Sequence, residues 1–353
     1  MNSQQRFRSS YVQYLVALFI TAAGPTCLAL LVNLLVDPLW YLGGNRVFDE
    51  NFPFNERFSK ANIFLDSPDS YDCVILGSSR VTLLDPGSLS TFRCFNFAVS
   101  NGTILEYGQI LDFIESRSAL QAVVVGVDGF NFSSHGLDPT LPEFLESGLG
   151  PPPVIESYLS IDVLEFSLRS LVSRDKRTRF YDEYFIGDTT DGATAFVPNE
   201  QIDPDHPYGG LAPSPTNTVG PFFSEKADRL VALIASRKAA ITWIGYVPPI
   251  LSHHLAHVEA AGNLDGYLRS IWRASQAFDL FFDFSVPSPI ASDPGNTYDG
   301  SHFYRTVNDL VGETLSGGPL NGSLALHDLD FETYEQLFRQ RLTSFKARAY
   351  TER

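Results

Sequence analysis

Two short blocks more than 200 residues apart carry the side chains best suited to chemistry. The first is Gly77-Ser78-Ser79-Arg80, directly after the apolar run YDCVILG (71–77). A serine on the turn that leaves a buried strand is held at a sheet's rim, and a helix starting there would aim its first N–H groups at negative charge. Alone, the block equally describes a turn with a serine cap. The second is Tyr298-Asp299-Gly300-Ser301-His302-Phe303, which leads into HFYRTVNDLVGETL. Aspartate and histidine three apart at a helix entrance can turn toward each other. The carboxylate then orients the imidazole and stabilises its cation, while the other ring nitrogen accepts a serine proton. Alone, this block equally describes an aspartate cap beside an exposed histidine. A third group, Ser252-His253-His254-Leu255-Ala256-His257-Val258-Glu259, sets His253 and His257 four apart, the spacing of two zinc ligands on one helix face. Position 254 is His, so HExxH is absent. The group reads as a surface loop leading into a helix, near enough to the fourth strand for a histidine to meet substrate. No metal and no cofactor is expected.

The elements that must position these blocks are legible as apolar runs. Strand-like segments occupy 71–77, 92–100, 119–128, 241–249 and 279–285. Helix-compatible stretches cover 104–117, 223–239 and 255–278. Continuous apolar strands alternating with helices predict an α/β fold with a mainly parallel sheet. In such sheets ligands bind beyond the carboxyl ends of the strands, so the serine block and the D-x-x-H block should converge at one edge. Residues 37–70 read as an extended lead-in. Residues 130–222 break the alternation and read as an insertion over the active edge, with a helix at 154–174 and then a Pro/Gly/Asp/Thr-rich passage. Residues 326–353 read as a helical tail. Cys73 and Cys94 fall near the middle of the first two strands; two buried thiols are expected, although an oxidising compartment would permit a bridge. Of the 28 phenylalanines most belong to core. Phe180, Tyr181, Tyr184, Phe185, Phe222 and Phe223 are also expected in core, with sugar stacking or bilayer contact as the alternative.

Charge divides the chain at residue 36. The whole carries −16, yet residues 1–36 hold no acid and two bases, Arg6 and Arg8. The remainder has 23 basic residues against 41 acidic ones. An acidic body with no basic stripe gives no purchase on a phosphate backbone, which excludes nucleic acid as a partner. Tyr11–Val36 is uncharged and long enough to cross ~30 Å of hydrocarbon. Gly24 and Pro25 are tolerated in such a span, and Tyr11, Tyr14, Trp40 and Tyr41 suit its two interfaces. The apolar region of a cleaved signal peptide is shorter, about 7–15 residues. The expected layout is a cytoplasmic tail at 1–10, a bilayer anchor at 11–36, the lead-in, a main domain at 71–325 with its insertion, and the tail. Arg6 and Arg8 put the N-terminus in the cytoplasm and the body outside the membrane, periplasmic in a Gram-negative cell.

The blocks resemble those of the SGNH (GDSL-like) hydrolases, including membrane-anchored relatives that act in extracytoplasmic glycan acylation. The resemblance covers roughly residues 70–130 and 240–315. It implies a three-layer α/β sandwich around a five-stranded sheet, and a triad of Ser79, His302 and Asp299. Gly77-Ser78-Ser79 matches the family's G-D-S with Ser for Asp, which makes Ser79 the nucleophile. Asp299 and His302 match its D-x-x-H unaltered. Asn96-Phe97-Ala98-Val99-Ser100-Asn101-Gly102 resembles the second block, with Asn101 at the oxyanion glycine and Gly102 one residue on. In the third block Asp128 replaces an asparagine donor, and an ionised Asp cannot donate. Either Asp128 is protonated, or Asn131 or a backbone group substitutes, or Asp128 has another task. Arg80 could hold an acceptor's anionic group or form a structural ion pair. The acidic surface favours a neutral or cationic substrate. The implied activity is ester hydrolysis or O-acyl transfer on an acylated envelope glycan or small ester, beside a multispanning membrane acyltransferase partner. The alternative is a silent family member that binds glycan or scaffolds a membrane complex.

Overall fold

A computed structural model describes residues 3–48, 50–133, 141–148, 150–172, 179–182, 186–189, 221–237 and 241–351. The chain opens with α1 (Ser3–Val36), which runs through Pro25. Its segment Tyr11–Val36 has mean hydropathy 2.3 and is largely exposed, with Asn33 and Val36 buried near its end, so it is long and apolar enough to cross a membrane. The chain then leaves α1 through a polar knot. Asp37, at φ +44°, accepts the N–H groups of Tyr41, Leu42 and Gly44 and the hydroxyl of Tyr158. Residues 37–70 are not merely an extended lead-in. They contain α2 (Glu56–Asp66), capped by Asn55 and buried through Ala61 and Phe64.

The sheet strands are β1 (Cys73–Leu76), β2 (Cys94–Asn96) and β3 (Ala122–Gly126), with α3 (Tyr107–Glu115) between the last two. The insertion follows, with α4 (Glu143–Ser147), α5 (Val154–Tyr158), α6 (Ile161–Val172) and a small hairpin of β4 (Arg179–Tyr181) and β5 (Gly187–Thr189). The helix expected over 154–174 is therefore two helices, broken at Leu159-Ser160. Tyr181 and Phe222 are core residues, whereas Phe180 is half-buried and Phe223 is exposed, against expectation; Tyr184, Phe185 and most of the Pro/Gly-rich passage lie outside the described residues. The alternation resumes with α7 (Ala227–Arg237), β6 (Thr242–Val247), α8 (Ser252–Ala260), α9 (Leu264–Ser275) and β7 (Leu280–Asp283). Gly262, at φ +74°, separates α8 from α9 inside what reads as one long helix. The chain ends with α10 (Pro289–Ser292), α11 (Arg305–Leu315), β8 (Leu324–Ala325) and α12 (Phe331–Thr351).

Strand order is β2-β1-β3-β6-β7-β8, parallel except for β8, which pairs antiparallel with β7. The sheet thus has six strands where five were expected; the sixth has only two residues and no apolar run of its own. Alternate strand residues feed two apolar clusters. Val74, Leu76, Val123 and Val125 join α3, α7, α9 and α12, whereas Cys73, Ile75, Ala122 and Val124 join Val311 and Leu315 of α11. Burial on both faces explains the unbroken apolar runs. Cys73 and Cys94 form a disulfide rather than two thiols. The expectation failed because register pairs these two residues directly, with Cα atoms 4.2 Å apart. Strand order reverses between β1 and β3, the place where open α/β sheets form a crevice.

Candidate active site

Residues from the two distant blocks meet at that crevice. Ser79 follows β1, and its Oγ lies 2.7 Å from His302 Nε2. On the far side of the ring, His302 Nδ1 is 2.6 Å from Asp299 Oδ2. The other carboxylate oxygen accepts the N–H groups of Ser301 (2.9 Å) and His302 (2.8 Å), so one aspartate fixes both the loop and the ring. Gly300 at φ +83° makes this tight loop possible. The Tyr298 ring stacks on His302 at 5.7 Å. Burial raises the Asp299 carboxyl, but His302 and the two backbone N–H groups outweigh it and hold the carboxyl below its ordinary value. An ionised Asp299 keeps a proton on Nδ1 and leaves the Nε2 lone pair toward Ser79.

The local supports differ from the sequence expectation. No helix begins at Ser79. Residues 79–83 form turns instead, with Val81 N–H donating to Ser78 O and Leu84 N–H to Val81 O. Helix-end N–H groups therefore do not stabilise charge at Ser79. The loop after β2 lies directly against this turn: Val99 N–H donates to Gly77 O (3.1 Å), and a Cβ on Gly102 would sit 2.3 Å from the same oxygen. Asn101 occupies the left-handed region at φ +56°, which asparagine tolerates where a glycine is otherwise usual. Among the described residues, no acceptor takes the backbone N–H of Ser79 or of Asn101. Ser79 lies on the turn after β1 and Asn101 on the turn after β2.

Asp128, Asn131 and Arg80 do other work. Asp128 accepts the Ser78 hydroxyl and forms an ion pair with Arg80 Nη1 at 2.6 Å. Arg80 in turn donates to Ser301 Oγ (2.8 Å), tying the serine turn to the histidine loop. The Asn131 amide is used structurally: Oδ1 accepts Ile104 N–H and Nδ2 donates to Asp128 O, each at 3.1 Å. The loops after β2 and β3 are held together there. A small cleft beside Arg80 and Asp128 is lined by Phe222, Val247, His254 and Tyr267. His254 therefore borders the site, whereas His253 packs on Phe345. Burial, with His253 nearby, pushes the His257 imidazole down to about 4. Among the described residues, no cluster of His, Cys, Asp and Glu gathers around these histidines.

Sequence reading missed a buried charged group behind the serine turn. Arg179 of β4 donates to Ser79 O (3.4 Å), Thr82 Oγ1 (3.0 Å) and Ser100 Oγ (2.8 Å), and pairs with Glu56 at 3.3 Å. Glu56 also accepts Ser100 N–H and the Tyr181 hydroxyl. Lys60 is fully buried, donates to Ala98 O and lies 5.4 Å from the Tyr181 ring centre. Burial pushes its ammonium down to about 7, with Glu56 opposing. Burial raises the Glu56 carboxyl, but Arg179 and Lys60 bring it below its ordinary value. Glu56 and Lys60 stand one turn apart on α2, but Arg179 comes from the insertion, and no spacing links it to them. The chain matches no protein-family model and no curated protein.

Proposed function

We propose that the chain is a membrane-anchored serine acyl-ester hydrolase or O-acyltransferase of SGNH-like, three-layer α/β architecture, acting outside the cytoplasmic membrane. The observation that carries this reading is the unbroken line Ser79–His302–Asp299. His302 Nε2 takes the hydroxyl proton as Ser79 Oγ bonds to an ester carbonyl carbon, and the carbonyl π pair moves to oxygen. The N–H groups of Ser79 and Asn101 stabilise that oxyanion. On collapse the C–O bond to the leaving alcohol breaks, and His302 returns the proton to it. Water or a sugar hydroxyl then takes the acyl group by the reverse sequence. The Cys73–Cys94 disulfide supports an oxidising, extracytoplasmic compartment. The acidic body favours a neutral or cationic acylated envelope glycan, and an anchored enzyme suits a multispanning acyltransferase as partner.

One observation favours the silent, glycan-binding or scaffolding reading. The position of the family's asparagine donor holds Asp128, already engaged by Ser78 and Arg80. A fluorophosphonate probe separates the two. Labelling that survives Ser78→Ala and vanishes in Ser79→Ala supports the enzyme; no labelling of folded wild-type protein favours the silent member. Acetate release from, or transfer between, acetylated glycans then distinguishes esterase from transferase.

A further inference from the structure

We propose that α6, with the end of α5, is an interfacial helix that rests its apolar side on the outer leaflet beside α1. This inference rests on the membrane anchor proposed above. Outside α1, every described large apolar side chain more than half exposed lies in or just after α5 or in α6: Ile155 at 61%, Leu159 at 51%, Ile161 at 80% and Val172 at 85%. Leu168 adds a further 47%. On a body with so many acids, such a contiguous apolar patch marks a contact surface.

The helix has three sides rather than two. At about 100° per residue, Phe166, Ser170, Val163 and Ser167 fall on one side. Val163, Ser167 and Ser170 are buried, and Val163 shares an apolar cluster with Leu30 and Leu34 of α1. Asp162, Glu165 and Arg169 form a second, exposed side, with a Glu165–Arg169 ion pair. Leu171, Leu164, Leu168, Ile161 and Val172 fill the third, an arc of about 100° with no charged residue. A soluble helix needs one apolar side, facing its core. α6 has a second, and α1, which it packs against, is long and apolar enough to cross a bilayer. Asn33 Nδ2 of α1 donates to Tyr158 O at 2.8 Å, fixing α5 to the end of α1 that leads into the body. α5 and α6 are thus held against the end of α1 that leads into the body, and bilayer lipid is the occupant of the third side of α6. Seven residues after Val172 in sequence comes Arg179, which touches the serine turn.

The test uses the full-length chain with Cys27→Ser, reconstituted in phosphatidylcholine vesicles without reductant. Single cysteines at Ile161, Leu168, Val172, Asp162, Glu165 and Phe19 carry an environment-sensitive fluorophore. A nitroxide on the lipid acyl chain should quench the labels at 161, 168 and 172 about twofold or more. The labels at 162 and 165 should respond to aqueous iodide instead. Iodide quenching at 161, 168 and 172, with lipid quenching retained at Phe19, overturns the inference and leaves the anchor standing. Protection of those three labels from both quenchers overturns it in favour of a protein partner. Loss of lipid quenching at Phe19 removes the anchor itself, and the inference with it.

Discussion

Ser78 and Ser79 are consecutive, yet their hydroxyls enter opposite surroundings. Ser79 points to a half-buried histidine at the sheet's rim, backed by a carboxylate. Ser78 is buried and donates to a carboxylate already paired with a guanidinium. The Asp128 oxygens are already engaged by Ser78 and Arg80. The His302 imidazole would gain charge stabilisation from Asp299 on taking a proton. Neighbours, not the serine side chain, set one residue as the proposed nucleophile and the other as a strut.

The largest expected effect tests that division directly. Ser79→Ala should abolish probe labelling and lower any ester turnover by about 10⁴-fold or more, whereas Ser78→Ala should stay within about tenfold of wild type. Equal loss in both variants, with unchanged melting temperature, would break the comparison. Next are the two aspartates. Asp299→Asn should slow labelling by about 10³–10⁴-fold at nearly unchanged stability, because the ring loses its orientation and the cation its partner. Asp128→Asn should do the reverse: about 2 kcal/mol less stable by denaturant melts, since Arg80 loses a largely buried partner but still reaches Ser301, with labelling reduced tenfold at most. Matching kinetic losses in the two variants would place Asp128 within the proton machinery.

The smallest effect concerns the charged group behind the turn. Lys60 is pushed down to about 7 in the folded chain by burial, below its ordinary 10.5. Between those values the unfolded chain binds a proton that the folded chain does not, so stability rises with pH. The cost of the buried ammonium is complete below the folded value and gone above the unfolded one. Wild type should therefore gain about 2 kcal/mol relative to Lys60→Met between pH 7 and 9. Parallel stability curves for the two proteins would show that Lys60 keeps its charge through Glu56.

The five parallel strands and most helices are legible because burial on both sheet faces demands apolar runs, and runs are local. α2 escaped notice because Glu56, Arg57, Lys60 and Asp66 interrupt its apolar residues, and Pro53 and Pro68 flank it. Three of those charges are tertiary partners: Arg57 pairs with Glu106, Glu56 with Arg179, and Lys60 donates to Ala98 O. The helix expected after Ser79 failed for a different reason. Turns there let Asn96 Nδ2 donate to Val81 O and Leu84 O, so a side chain from β2 takes over carbonyls that a helix would have used.

The sequence by itself determined which chemistries were available: a serine turn, an Asp-x-x-His loop, an acid-free apolar segment and an acidic body. Those are properties of neighbouring residues. Only the tertiary structure shows His302 within hydrogen-bond reach of Ser79, Asp128 paired with Arg80, and Arg179 from the insertion bracing the serine turn. Ser79 and His302 are 223 residues apart, Ser78 and Asp128 50 apart, and Arg179 and Ser79 100 apart. Hydrogen bonds form or fail within tenths of an ångström. Such distances are set by strand register and loop packing, which no local spacing encodes.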